Sequence, residues 1–241
     1  MKKAFVFGIN GKMGKILCDC ASDFGFEITG GFDVAPHPCI PTFTDVRDVD
    51  TAFDVIIDFS RPQTLSAIVA LAERVRVPVV IATTGYNDSE LKTIRLLSER
   101  VPVMHSGNMS LGIAAVKAAA VAAAKVLGDA FDVEIVEKHH SQKADSPSGT
   151  AIMLANALAP RDKQVFNRDG KRNKGELGIT SVRGGGVVGE HEIGFYGDDE
   201  IVTISHSARS RRLFAAGAFR AAEFLLNAKS GLYDLDDIIR A

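Results

Sequence analysis

Hydrophobic positions follow two regimes along the chain. Up to about residue 109, short apolar runs at 4–7, 27–32, 55–59, 78–82 and 101–104 are separated by stretches with apolar side chains three or four apart. Runs bounded by glycine and polar turns predict strands, and most of these are continuous enough to be covered on both faces. The periodic stretches from Lys15 onward, over 64–75, and through Leu91, Ile94, Leu96 and Leu97 predict helices, with Ser89 as N-cap of the last. This alternation predicts a parallel sheet whose functional loops lie at the carboxyl ends of its strands.

Beyond 110 the rhythm changes. Residues 111–127 read as one alanine-rich helix with Gly128 as its stop, then a strand at 132–137 and a helix at 152–158 ending before Pro160. The charged, glycine-containing stretch 161–178 reads as a mobile surface loop. Strands follow one another at 179–183, 187–195 and 200–206, the last two joined by a turn at 197–199, with bends at the glycines of 184–186 and 189. A helix over about 214–228, stopped by Gly231, carries Phe214, Phe219, Phe224 and Leu225 and so predicts docking rather than a free tail. The fold class expected is α/β: an N-terminal Rossmann-like parallel sheet and a second, α+β domain with a mixed or antiparallel sheet.

Composition narrows the function classes. A net charge of −2 gives no electrostatic reason to expect nucleic acid or an anionic membrane as partner. The apolar stretch 111–127, mostly alanine and interrupted by Lys117 and Lys125, reads as too weakly hydrophobic to span a bilayer, and the first apolar run is too short for a secretion signal. Three cysteines form no disulfide framework, and Cys18 and Cys20 lack a second ligand pair, so no metal site is expected. The expectation is a soluble cytoplasmic protein.

Two stretches carry chemistry. Gly8-Ile9-Asn10-Gly11-Lys12-Met13-Gly14 has the spacing G-x-x-G-x-x-G between a strand and a helix. Its glycines suit a tight turn, close approach of backbone to pyrophosphate and close helix–strand packing. Asp33 ends the next strand, where such a unit places an acid on the ribose hydroxyls; a carboxylate there favours NADH, while Lys12 leaves NADPH open. Thr83, Thr84 and Asn108 fall at strand ends where a nicotinamide ribose and carboxamide would lie. The second stretch, EKHHSQKADSPSGTA over 137–151, sets His139, His140 and Lys143 before a Ser148-Gly149-Thr150 turn that opens a helix. Hydroxyls and N–H groups at such a turn can converge on a carboxylate, Lys143 adds charge, and either histidine can move a proton near neutral pH. Arg209, Arg211 and Arg212 offer a further cationic contact or a solvated face, Asp145 can cap the turn, and one histidine can be structural. A zinc site on His139 and His140 is disfavoured, because adjacent residues chelate poorly. The set suits a small anionic substrate such as a dicarboxylate.

The second stretch closely resembles the signature of the dihydrodipicolinate reductase family, E-x-H-H-x-x-K-x-D-A-P-S-G-T-A, from which only Ser146 departs. GINGKMG, DFSRP, ATTGY, GNMSLG, VRGGGVVGEH and SARSRRLFAAGA resemble family segments in family order along the whole chain. The resemblance implies NAD(P)H-dependent reduction of a cyclic imine dicarboxylate to tetrahydrodipicolinate in lysine and diaminopimelate biosynthesis. It implies His139 as acid/base residue, Lys143 as proton donor, and His140, Ser148, Gly149, Thr150 and Arg211 as substrate ligands. Gly8, Ile9, Asn10, Gly11, Lys12, Met13, Asp33, Ala82, Thr83, Thr84, Ser106, Gly107, Asn108 and Met109 become the cofactor contacts. Two segments depart from the family: Ser106-Gly107-Asn108-Met109 stands where A-P-N-F is usual, and Ala82 where a glycine is usual. The implied organisation is a dinucleotide-binding domain at 1–109 plus 212–241, a substrate-binding and oligomerisation domain at 110–211, and a homotetramer. A redox-sensing NADH-binding regulator would need neither His139 nor Lys143 and would usually carry a basic DNA-binding module, which the sequence lacks. Another reductase on the same two-domain plan is the remaining alternative; a phosphorylating one would need a nucleophilic cysteine, and all three cysteines lie within the first 39 residues.

Overall fold

The computed structural model describes residues 1–240, which form two compact units: Met1–Ser110 with the chain from Arg211 onward, and Leu111–Ser210. In chain order the first 110 residues give β1 (Lys2–Phe7), α1 (Lys12–Cys20), β2 (Phe26–Phe32), β3 (Thr42–Phe43), β4 (Val55–Asp58), α2 (Leu65–Val75), β5 (Val79–Ile81), α3 (Asp88–Ser98) and β6 (Pro102–His105). The next hundred give α4 (Leu111–Leu127), β7 (Asp132–His139), α5 (Gly149–Leu158), β8 (Gln164–Phe166), β9 (Leu177–Arg183), β10 (Gly189–Tyr196) and β11 (Ile201–Ala208). The chain then adds α6 (Arg212–Leu225), β12 (Gly231–Tyr233) and α7 (Leu235–Arg240).

The first unit is a seven-stranded sheet in the order β12-β6-β5-β4-β1-β2-β3, with every pair parallel. Continuous apolar strands fit this position, since helices cover both faces. Phe5, Phe7, Ile56, Val79, Ile81 and Val103 from the strands meet Ile68, Leu71, Ile94 and Leu97 from α2 and α3 in one core. The last long helix, α6, buries Ala215, Ala218, Phe219 and Leu225, and Phe219 stacks on Phe24 and Phe26. Three local expectations are corrected. The N-cap of α3 is Asn87, whose side chain accepts from Glu90 N–H at 3.0 Å in a reciprocal capping box; Ser89 instead donates its hydroxyl to Asn87. Gly231 opens β12, parallel to β6, rather than ending a helix. The last long helix also stops at Leu225, short of 228.

The second unit is a mixed sheet, β11-β10-β7-β9-β8, in which β7–β10 and β10–β11 are antiparallel while β7–β9 and β8–β9 are parallel. Ile135, Ile179, Ile193 and Phe195 pack against Ile113 and Val116 of α4 and Leu154 of α5. The helical run Leu111–Ala130, expected to be too weakly hydrophobic to span a bilayer, is by length and composition apolar enough to do so, with mean hydropathy 1.7. Alanine scores as apolar yet buries little surface, and here Ile113, Val116 and Ala120 carry the packing. The stretch expected to be a mobile loop contains β8, and Arg168 ties the segment back to Glu134 of β7 at 2.7 Å, joined by Arg172 on the same carboxylate. A charged segment reads as solvated in sequence; here Arg168, Arg172 and Glu176 are paired.

Candidate active site

The first unit builds a cradle at the carboxyl ends of β1, β2 and β4. Gly8 follows β1 at φ +77°, and a Cβ there would stand 2.8 Å from the Phe59 carbonyl oxygen, so only glycine fits the turn. Gly11 caps α1 and donates its N–H to the Gly8 carbonyl at 2.9 Å. Gly14 packs directly on the Gly8 and Ile9 carbonyls, drawing the helix onto the loop. Asp33 accepts from the N–H groups of Asn10 at 2.9 Å and Val34 at 2.7 Å, which fixes its carboxylate beside the loop. A cavity of about 340 Å³ is lined by Gly8, Asn10, Gly11, Asp33, Phe59, Ser60, Arg61 and Thr64. Glycine backbone, a helix N-terminus and a carboxylate around one cavity fit a dinucleotide.

The other expected cofactor residues divide. Lys12 and Met13 form the exposed and half-buried first turn of α1, and Ile9 is fully buried, so it has only backbone to offer. Ala82 donates its N–H to the Asp58 carbonyl at 3.0 Å, Thr83 is buried, and Thr84 is exposed. Ser106 bridges to Asn108, accepting its N–H at 3.3 Å and donating to its carbonyl at 2.8 Å, and Gly107 is exposed. Met109, expected where an aromatic usually stands at the nicotinamide, is 1% exposed and its carbonyl seats on Gly217 of α6. Its side chain belongs to the packing of the unit.

The second unit assembles its site by strand register. Glu137 and His139 share one face of β7, because residues two apart on a strand do. Antiparallel pairing sets His191 opposite Glu137, and parallel pairing sets Arg183 opposite His139. Glu137 is fully buried; its Oε1 accepts from Arg183 at 2.7 Å and from Ser148 N–H at 3.0 Å, and its Oε2 accepts from Arg183 at 2.8 Å. The Nδ1 of His139 lies 2.5 Å from that same Oε2. Burial alone would raise the Glu137 pKa, but the Arg183 guanidinium with the Ser181, His139 and Ser148 donors brings it to about 2. An ionised carboxylate only accepts, so His139 carries its proton on Nδ1 when neutral and keeps the Nε2 lone pair for proton transfer. That Nε2 lies over Gly189, where a Cβ would approach it to 3.1 Å.

Ser148 caps α5 and is 2% exposed. Its Oγ accepts from Ala151 N–H at 3.2 Å and lies 3.1 Å from His191 Nε2. Burial first, then the neighbouring His139, lowers the His191 pKa to about 4, so a neutral imidazole shares a hydrogen bond with the Ser148 hydroxyl. The Ser148 N–H and hydroxyl thus tie together β7, β10 and α5 at the point where the expected substrate turn begins. Gly149 and Thr150 form the open first turn of α5, exposed and half-buried. His140 is half-buried just past β7, and its carbonyl accepts from Lys143 N–H at 3.1 Å. Lys143 Nζ lies 2.8 Å from Asp145, whose pKa it lowers, so Lys143 is held near α5 by a carboxylate that is itself exposed. Arg211 is exposed at the N-terminus of α6, in the first unit. The sequence reading missed Glu137, Arg183 and His191. Strand alternation flags Glu137 beside His139, but Arg183 and His191 arrive only through register. Among the described residues no group of three or more histidine, cysteine or acidic side chains could hold a metal ion.

Comparison with known proteins agrees along the whole chain. Residues 2–109 match the family model for the dihydrodipicolinate reductase N-terminus and residues 112–239 that for its C-terminus. A 4-hydroxy-tetrahydrodipicolinate reductase from Caldanaerobacter subterraneus subsp. tengcongensis is 44% identical over 100% of this chain and 99% of that protein. One from Clostridium novyi is 41% identical over 100% and 99%. Among solved structures, a dipicolinate-bound dihydrodipicolinate reductase from Paenisporosarcina sp. TG-14 superposes with TM-score 0.82 at 25% identity, covering 99% of each chain. Two family models that between them span nearly every residue leave one conclusion: the chain belongs to the dihydrodipicolinate reductase family.

Proposed function

We propose that this enzyme reduces 4-hydroxy-tetrahydrodipicolinate, or the dihydrodipicolinate derived from it, to tetrahydrodipicolinate in diaminopimelate and lysine biosynthesis. The observation that carries the reading is His139 held by Glu137, whose carboxylate is itself gripped by Arg183 and by the Ser148 N–H at the start of α5. A reduced nicotinamide, when bound, supplies the hydride; the rest falls to this chain's residues. Gly8, Asn10, Gly11 and Asp33 hold the dinucleotide, with Ala82, Thr83, Thr84, Ser106 and Asn108 toward its nicotinamide end. His140, Ser148, Gly149 and Thr150 bind the substrate carboxylates, Lys143 is the proton donor and His139 the acid/base residue; Arg211 is read as a further substrate contact. Asp33 favours NADH, because its carboxylate repels a 2′-phosphate.

The unit Met1–Ser110 with the chain from Arg211 is read as the dinucleotide-binding domain, and Leu111–Ser210 as the domain for substrate and assembly. We take the enzyme to work in the cytoplasm as a homotetramer. The eight-residue edge strand β11 supports assembly, since Ile201 on it is 61% exposed. The test is purified protein with freshly generated substrate and either NADH or NADPH. Substrate-dependent loss of reduced-nicotinamide absorbance, faster with NADH, is expected; no loss with either cofactor overturns the assignment.

A further inference from the structure

Asp58, at the end of β4, has no exposed surface, and among the described residues no cation pairs with it. Its Oδ1 accepts from Ser60 N–H at 2.9 Å and from the Ser60 hydroxyl. Ser60 Oγ in turn lies 2.5 Å from Thr64 Oγ1, and both residues line the 340 Å³ cavity. On its other side the carboxyl faces Thr83 and Tyr86 of the loop after β5. Asp58 Oδ2, Thr83 Oγ1 and Tyr86 Oη are all buried and face one another. A buried carboxyl set among hydroxyls with no cation is unusual in a core packed for stability alone, where polar groups are commonly replaced by apolar ones. The carboxyl also joins two strand-end loops, and such loops bind the ligand in an open parallel sheet.

We infer that Asp58 is a positioning residue for the dinucleotide, holding the Phe59-Ser60 lip against Gly8 and the Thr83–Tyr86 loop beside it. The inference rests on reading the cavity as the dinucleotide site. The lip has little slack: a Cβ on Gly8 would stand 2.8 Å from the Phe59 oxygen and 3.1 Å from Ser60 Cα, so moving it reshapes the cavity wall. Burial raises the Asp58 pKa, which favours a neutral carboxyl whose Oδ2–H can donate to the facing hydroxyls. Asparagine has the same shape, keeps the acceptor for Ser60 and places an N–H donor where Oδ2–H stands.

The test compares Asp58→Asn, Asp58→Ala, Ser60→Ala and Tyr86→Phe, reading NADH dissociation constant by nicotinamide fluorescence, kcat and KM for NADH, and Tm. Asp58→Ala is expected to weaken NADH binding about tenfold and raise its KM alike, with kcat at saturating cofactor within about twofold. Ser60→Ala and Tyr86→Phe should weaken it about threefold, and Asp58→Asn should stay within about twofold of the parent. The inference is overturned if Asp58→Ala binds NADH as the parent does while losing only Tm, or if Asp58→Asn is as impaired as Asp58→Ala. Should Asp58→Ala fail to fold, unchanged NADH affinity in both Ser60→Ala and Tyr86→Phe overturns it. If the parent protein itself does not bind NADH, the dinucleotide reading fails instead.

Discussion

The two units each bury one carboxylate completely at a strand end, and the two behave in opposite ways. Glu137 on β7 meets a bidentate guanidinium and a backbone N–H, and its pKa falls to about 2. Asp58 on β4 meets hydroxyls and N–H groups with no cation, and burial carries its pKa upward. Burial is common to both, so the difference lies in the partner. A charged acid suits the role proposed in the second unit, where a fixed anion sets the tautomer of His139. An acid shifted toward its neutral form suits the first, where the hydroxyl-bearing Ser60, Thr83 and Tyr86 surround it. Two equally buried acids are thus driven in opposite directions by the presence or absence of one guanidinium.

The largest expected effect follows from removing the cation. Arg183→Met leaves Glu137 buried without its counter-charge and should destabilise the protein by about 3–5 kcal/mol, measured by urea unfolding at neutral pH. A loss below about 1 kcal/mol would mean that the pair is far less coupled than its geometry indicates.

The next prediction separates the two acids by pH. The folded value of Glu137 lies below its ordinary 4.5, so its contribution is present above 4.5 and is lost as pH falls toward 2. That contribution is roughly 3 kcal/mol, and Glu137→Gln should flatten the acid limb over this window. The folded value of Asp58 lies above its ordinary 3.8, so the folded form is favoured below that value and loses ground as pH rises through the folded value. Asp58→Asn should therefore gain on the parent as pH rises. Acid limbs that move in the same direction for both variants would erase the distinction.

The smallest effect serves as a contrast on the same strand as Glu137. Lys138 pairs with Glu190 at 3.4 Å with both side chains well exposed, and Lys138→Ala should change stability by less than about 0.5 kcal/mol. A larger change in urea unfolding would show that exposure does not separate the weak pair from the strong one.

How much of this was legible in the sequence depended on range. The glycine loop, Asp33 and the His139–Thr150 stretch are local patterns, and each sits where its spacing placed it, at a strand end or a helix start. Arg183 and His191 were out of reach because 44 and 52 residues separate them from His139, and only sheet register brings them back. Ser148 was legible as a helix start but not as an occupied one, since its second partner arrives from β10. The burial of Met109 was out of reach for the same reason: the helix that seats on it lies a hundred residues further along. The charged segment 161–178 looked mobile because its partner Glu134 precedes it on another strand. Ser89 lost the cap to Asn87 through a two-residue shift that the reciprocal Glu90 contact decides.

The central claim is that the Glu137-locked His139 moves a proton while a separate unit holds the cofactor. His139→Gln tests it most directly, with kcat and the NADH dissociation constant measured on the same preparation. The account predicts a fall in kcat of about 10²-fold or more with NADH affinity unchanged. Retained turnover, or a loss of NADH affinity in step with turnover, would contradict it.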